Sequence, residues 1–399
     1  MSDSGLLWQD GAARRNRPAR AFLPLLRSAL GAHPERLDLL RDLANALRND
    51  GRPDEVVAML APLDRARRLT PELALALGAA AAAGNEPESA ISPLEAAAAG
   101  GAPQAYRELA FLFHRLGRYA DAVAPARAAL HHDPWDDGAL EMAARALIHQ
   151  DDAEGLRTLC QELAAQGVGT ATLLAFRAVA AALARRHDEL VMLVDRGQWC
   201  AQSIVGPGCI DNDQLADEIL SHPSLSPSAE YTAARGGNLR LDELERRQSR
   251  AIWKLLHHIR REVDAYVAQR RHLTHPLMTC HPDAVMLQGW ALVLRDDGHE
   301  ELHIHPNSWL NAVYYVRVPE SLDEGPLPSG AILFGPWPPD LDNQLADFPR
   351  WHIEPQAGTL LIFPGSFGHG TVPTRSKESR ISVALNVNPV PGTKALNGS

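Results

Sequence analysis

"ELHIHPNSWLNAVYYVRV", residues 301–318, decides how the second half of the chain is read. "ELHIH" and "LNAVYYVRV" both carry strand character, the second rich in β-branched and aromatic residues, with Pro306 and Asn307 between them. On a strand, side chains at i and i+2 share a face. His303 and His305 would then point the same way, about 7 Å apart along the backbone. Converging imidazoles are ligand geometry, although a His-x-His pair in a chain with 17 histidines is also ordinary surface chemistry. The surrounding sequence has to decide between them.

Working outward, "VMLQGWALVLR" (285–295), "GAILFG" (330–335), "WHIEP" (351–355), "GTLLIFPG" (358–365), "GTVPT" (370–374) and "RISVALNVN" (380–388) repeat the signature between Gly, Pro and Asp turns. About eight short strands over 286–390 predict an antiparallel jelly roll with its site inside the mouth. His369 stands alone in "FPGSFGHGTVPT" (363–374), and the next strand puts Arg380 and Ser382 on one face of an otherwise apolar run. A polar pair there wants a partner. Arginine offers a planar fork of donors matched to a carboxylate, and a serine hydroxyl adds a third bond.

The first half differs in kind. Residues 20–195 are crowded with Ala, Leu, Arg, Asp and Glu and read as helix. The clearest unit, "YRELAFLFHRLGRYADAVAPARAALHHDP" (106–134), breaks at Gly117, and breaks recur at Gly51, Gly84, Asp151 and Arg185, at intervals of 33 or 34 residues. Small residues at Ala44, Ala110 and Ala144 let paired helices approach closely. This pattern resembles the tetratricopeptide repeat family. The resemblance implies stacked helix pairs whose concave face takes a peptide or protein partner; a generic Ala-rich bundle is the plainer alternative.

The resulting expectation is an α+β multidomain chain: an N-terminal segment (1–19), a tetratricopeptide-like array (20–195), a connector with a long amphipathic helix (196–285) and a jelly-roll, or double-stranded β-helix, domain (286–399). In the connector Leu244, Ile252, Leu255, Leu256, Ile259, Val263, Tyr266 and Val267 recur at helical spacing, and His257 and His258 read as surface or core-edge residues. His272, His275 and His281 have no partner at ligand spacing. At 399 residues two domains are expected. A net charge of −10 with no long basic run argues against nucleic acid as the main partner. Scattered Cys160, Cys200, Cys209 and Cys280 argue against disulfides and suit a reducing compartment. With no export signal and no long apolar run, the reading is a soluble cytoplasmic protein with no membrane partner.

The order His-x-His, distal His, Arg-x-Ser resembles the Fe(II)/2-oxoglutarate-dependent oxygenases. Over roughly 210–390 the chain looks most like the members that carry N-terminal tetratricopeptide repeats. The resemblance implies Fe(II), 2-oxoglutarate as cosubstrate and O2, with His303, His305 and His369 as metal ligands. Arg380 and Ser382 would grip the C5 carboxylate of 2-oxoglutarate. Tyr315 would reach the same cosubstrate, or else pack in the core. The implied outcome is hydroxylation of a C–H bond in a peptide, protein or amino-acid-like substrate, with the repeats as a recruitment module.

Two departures stand out. Most members have Asp or Glu where His305 stands, and a third neutral imidazole leaves the metal one negative charge short. His299 and Glu301 are in phase with His303, and Asn307 lies two beyond His305, so the third ligand stays open among them. In "WLNAVYYV" (309–316) Asn311 and Ala312 replace the usual Ser-Gly at the pocket wall. Trp290 and Trp309 line a substrate path or belong to the core; Gly236 and Gly237 form a backbone edge or a plain loop. Two other functions compete: a non-enzymatic repeat adaptor with a degenerate barrel, and a three-histidine cupin-like metalloenzyme that uses no 2-oxoglutarate. Neither needs Arg380 beside Ser382.

Overall fold

The structure is a computed structural model describing residues 17–84, 86–206, 208–229, 232–246, 249–320 and 327–390. Residues 1–16 of the expected N-terminal segment lie outside the described residues, and helix begins at Arg17. The chain forms two compact units that divide between Asp152 and Ala153.

The first unit is a succession of helices: α1 (Arg17–Ala32), α2 (Leu37–Asn49), α3 (Pro53–Arg65), α4 (Pro71–Ala83), α5 (Ile91–Ala99), α6 (Gln104–Arg115), α7 (Tyr119–His132) and α8 (Asp137–His149). Gly51, Gly117 and Asp151, three of the breaks read from the sequence, have φ of 76°, 71° and 58°. At each, the next residue donates its N–H back to a carbonyl inside the helix: Arg52 to Leu47, Arg118 to Phe113 and Asp152 to Leu147, at 3.0, 2.8 and 2.9 Å. That bond satisfies an otherwise orphaned helix carbonyl and turns the chain into the following helix. Gly84, at φ −84°, ends α4 without it. Ala44, Ala110 and Ala144 are each fully buried, as close helix pairing requires. Leu40, Leu43, Leu47, Val56, Leu60, Leu73 and Leu77 form one core, and Leu94, Leu109, Leu112 and Phe113 anchor the next.

The second unit opens with α9 (Ala153–Ala165), α10 (Ala171–Leu183), α11 (His187–Val194) and the short α12 (Arg196–Trp199). Arg185 repeats the break, with φ 54° and Arg186 donating to Ala181 at 2.8 Å. Composition changes near residue 195, but contacts divide at 152, because α10 buries nearly its whole circumference. Phe176 of α10 meets Trp337 of the β domain at a ring separation of 5.4 Å. A helix apolar all round needs a second covering layer, and the barrel supplies it.

Ten strands follow: β1 (Ala201–Ile204), β2 (Ser226–Pro227), β3 (Ala234–Asp242), β4 (Val285–Glu300), β5 (Leu310–Arg317), β6 (Ile332–Gly335), β7 (Trp351–Ile353), β8 (Thr359–Pro364), β9 (Gly368–Thr371) and β10 (Ser376–Pro389). They form an antiparallel sheet in the order β1-β8-β5-β10-β4-β3-β2 and a smaller one, β7-β6-β9, the two layers of a jelly roll. Residues 196–285, read as a connector, contribute β1, β2 and β3 to the larger sheet. They also carry α13 (Asn212–Leu220), α14 (Arg250–Arg270) and α15 (Pro276–Thr279). On α14, Ile252, Leu255, Ile259, Val263 and Tyr266 are buried, while Ser249 caps the first turn by accepting from Ile252 N at 3.1 Å. Among the described residues, no helix is long and apolar enough to cross a membrane.

The stretch before β5 also departs from the sequence reading. "ELHIH" forms no strand; β4 runs on through Glu300, and His303 then makes an isolated bridge with His369. Long-range pairing, not a local alternation of side chains, gathers the histidines.

Candidate metal and cosubstrate site

His303 N–H donates to His369 O at 2.8 Å and His369 N–H returns to His303 O at 2.9 Å, while His305 N–H donates to Gly365 O at 3.1 Å. The segment 301–308 therefore lies flat against the β8–β9 turn. Two glycines make room for it. A Cβ on Gly365 would sit 1.9 Å from Ser308 O, and one on Gly370 would sit 2.8 Å from Glu300 O, so neither position accepts a side chain without moving backbone.

This main-chain frame brings three imidazoles together. His303 Nε2 and His305 Nε2 are 3.1 Å apart, and one ring nitrogen from each of His303, His305 and His369 lies within 4.8 Å of the others. His303 Nδ1 donates to Glu301 O at 2.7 Å and His369 Nδ1 donates to Phe367 O at 2.9 Å. A carbonyl can only accept, so both protons sit on Nδ1 and both Nε2 lone pairs are left for a metal. Burial, reinforced by the neighbouring His303, holds His305 and His369 well below the usual imidazole pKa. Both are therefore in the neutral form that ligates.

The other positions considered for the third ligand are engaged elsewhere. His299 Nδ1 donates to Asp297 O at 2.8 Å, Glu301 pairs with Arg235 at 2.8 Å, and Asn307 is exposed. Among the described residues, His303, His305 and His369 form the one cluster of three or more His, Cys, Asp or Glu ligand atoms at metal spacing.

Beside the histidines, the inward face of β10 presents Arg380 and Ser382, and Ser382 stands opposite Tyr315 of β5. Arg380 is 1% exposed, its guanidinium carbon lies 5.1 Å from the Tyr315 ring centre, and its Nε and Nη1 have no protein partner. Tyr315 is fully buried; burial raises its pKa, and the neighbouring Arg380 works against that rise. A buried guanidinium with open donors is costly in isolation and well matched to a carboxylate. The residues present thus fit both a metal that accepts imidazole and a carboxylate-bearing cosubstrate. His305, His369, Arg380 and Ser382 line one small cavity, together with Trp290, Asn311 and Asn386.

Sequence reasoning missed Thr359 and Arg240. Thr359, fully buried with an unpartnered hydroxyl, leads a strand that is otherwise apolar, which is the signal that was available. Trp290 stacks on His305 at 5.8 Å and 24°, while Arg240 of β3 lies 4.5 Å from the Trp290 ring, a pairing no local pattern reveals. Trp309 resolves as a core residue, donating from Nε1 to Leu277 O at 2.9 Å. Gly236 and Gly237 lie on β3 at a shift in its register with β4, so they belong to a strand and not to a loop. His275 is buried against Trp199, while His257 is on the exposed side of α14, stacked on Trp253.

Residues 288–386 match the family model described as "Putative 2OG-Fe(II) oxygenase". That family implies Fe(II), 2-oxoglutarate and O2, and the three-histidine cluster fits iron. Similar solved structures include a prolyl-4-hydroxylase of Pseudomonas putida, with 17% identity, 49% of this chain and 96% of that chain covered, and a TM-score of 0.35. A prolyl hydroxylase from Trichoplax adhaerens, in complex with a hypoxia inducible factor oxygen degradation domain peptide fragment, shares 12% identity over 51% of this chain and 89% of its own, with a TM-score of 0.34. The MamA protein shares 17% identity over 47% of this chain and 90% of its own, with a TM-score of 0.31. No curated protein matches in sequence.

Proposed function

We propose that this chain is an Fe(II)- and 2-oxoglutarate-dependent oxygenase that hydroxylates a C–H bond of a peptide, protein or amino-acid-like substrate. The observation that carries the reading is the buried Arg380, with two open donor nitrogens, in the same cavity as His305 and His369. His303, His305 and His369 would hold the metal; Arg380, Ser382 and Tyr315 would hold the far carboxylate of 2-oxoglutarate. When bound, the iron and its cosubstrate supply the oxidising chemistry by which O2 attacks an unactivated C–H bond.

The protein's own share is placement. The carbonyls of Glu301 and Phe367 fix which nitrogens face inward. Three neutral imidazoles bring no negative charge, so charge compensation falls to the cosubstrate, and the Arg380 cation draws its other carboxylate inward. The walls of β6 and β8, which include buried Ile332, Leu361 and Phe363, keep the interior dry.

A three-histidine cupin-like enzyme would leave Arg380 without a task, and a degenerate adaptor would have no reason to keep a charge buried there. The helical array is proposed as the recruitment module for a peptide or protein partner, and a cytoplasmic setting accords with four unpaired cysteines.

The deciding experiment is anaerobic titration of chelator-treated protein with Fe(II) and then 2-oxoglutarate, following the weak visible charge-transfer band. The band is expected only with both, and to be lost in His369→Ala and Arg380→Ala. Iron binding that 2-oxoglutarate leaves unchanged would favour the cupin-like reading; no metal binding at all would favour the adaptor.

A further inference from the structure

Along the inward face of β10, exposure rises from one end to the other. Arg380 and Ser382 are buried at 1% and 2%, Ala384 and Asn386 are half-buried, and Gln288, opposite Asn386 on β4, is exposed. The Arg380 end is therefore the floor of the cavity and the Asn386 end its mouth. Asn311 of β5 stands directly across from Asn386 and lines the same cavity as His305 and His369. Residues opposite each other in an antiparallel ladder have Cβ atoms about 5 Å apart. The two carboxamides therefore flank one small space.

Neither is satisfied by the protein. Asn311 is 2% exposed, yet both its Nδ2 and its Oδ1 lack a partner, and Asn386 Oδ1 lacks one as well. That leaves one donor and two acceptors aimed into a pocket. Such atoms are costly to leave unmade, and an apolar residue would fill the wall without them. The charge pattern narrows the ligand. Two open acceptor oxygens repel a carboxylate; Arg240 is engaged by Asp242 at 2.8 Å and by the Trp290 ring, and Arg380, the cation lining this cavity, stands at its floor, at the other end of the β10 face from Asn386. A group offering one N–H and one C=O, and no charge, complements the set.

We propose that Asn311 and Asn386 form an amide-reading subsite that receives a neutral carboxamide of the primary substrate, a peptide bond or an Asn/Gln-type side chain, beside the metal cluster. This rests on the oxygenase reading for its role in turnover, but the binding itself needs neither metal nor cosubstrate. It names a substrate class: amide-bearing chains in place of free amino acids or carboxylic acids.

The test is saturation-transfer NMR on the full metal-free chain with N-methylacetamide as probe and acetate as counter-probe. The wild type is expected to transfer to the amide, and acetate, which Arg380 can also hold, is expected not to displace it. Asn311→Leu is expected to abolish the amide signal and, by removing unmet polar atoms at similar volume, to raise the melting temperature. Asn386→Leu, at a half-buried position that tolerates change, is expected to weaken the signal at least threefold. The proposal is overturned if the wild type gives no amide signal, if acetate competes equally, or if either variant keeps the full signal. A melting temperature several degrees lower in Asn311→Leu would also overturn it, marking Asn311 as a packing residue or the site of a structural water. If 2-oxoglutarate fails to bind the iron-loaded wild type while the amide signal behaves as expected, the oxygenase reading falls and the subsite stands; the reverse pattern removes the subsite alone.

Discussion

His303 and His369 exchange both of their backbone hydrogen bonds, at 2.8 and 2.9 Å, and their rings lie 4.5 Å apart. Two of the three imidazoles are thus set by main chain alone. Anything that separates the two backbones separates the rings.

Gly365→Ala disturbs the same main-chain frame at its His305 end. The added methyl would overlap Ser308 O, a backbone atom with no freedom to rotate away. A loss of about 3 kcal/mol in urea unfolding is expected, since overpacking against main chain cannot relax through a rotamer. Isothermal titration should show metal affinity falling with it. Wild-type stability in Gly365→Ala would mean that the 305–308 turn is free to shift.

Arg380→Met separates function from stability. Its open donors are a burden in the protein without cosubstrate, and a flexible apolar side chain of similar length removes that burden. Stability in denaturant should rise by about 1 to 3 kcal/mol while 2-oxoglutarate binding is lost. A destabilised Arg380→Met would show that the guanidinium holds the barrel together.

Acid should weaken the fold in a defined window. Burial pushes His275 down to about 4 from the ordinary imidazole value of 6.5. As pH falls, the unfolded chain takes up this proton first. The contribution of His275 is therefore complete above pH 6.5 and is lost progressively down to about pH 4. Its size is on the order of 3 kcal/mol. His305 and His369, also lowered, act in the same direction. His275 Nδ1 accepts from Leu277 N at 2.9 Å as the cap of α15, a task asparagine performs without titrating. Urea melts of His275→Asn across pH 4 to 7 should show a shallower slope than wild type; an unchanged slope would clear this histidine of the effect.

Arg185 holds a left-handed φ of 54° where Gly51 and Gly117 stand in the earlier breaks. Arg185→Gly removes the Cβ penalty of that conformation and should raise stability by about 0.5 to 1 kcal/mol, net of the added chain entropy. Chemical denaturation measures it directly, and a loss would mean that the arginine side chain contributes more than its backbone costs.

The repeat breaks were legible because each is local: a chain reversal declares itself in a few residues, even where Asp151 or Arg185 replaces glycine. The polar pair Arg380 and Ser382 was legible for a similar reason, standing out on an apolar strand. What stayed hidden was made by partners distant in sequence. The contest between Glu301 and His305 turns on Arg235, which occupies the carboxylate from another strand. The histidine pair converges through a bridge to residue 369 and not through alternation on one strand. β3 escaped notice because "ARGGNLRLD" has two glycines and three charged residues and draws its order from β4.

The placement of β1 and β3 bears on how the jelly-roll domain can be handled. They flank β8 on one side and β4 on the other, beyond the stretch that the family model matches. A truncation starting at Val285 would unsheathe both margins of the larger sheet at once, leaving two rows of unpaired amides and carbonyls open to pairing between molecules. The β-rich half is therefore not excisable at its compositional seam: a soluble fragment has to begin upstream of Ala201, and a shorter one should be recovered from inclusion bodies.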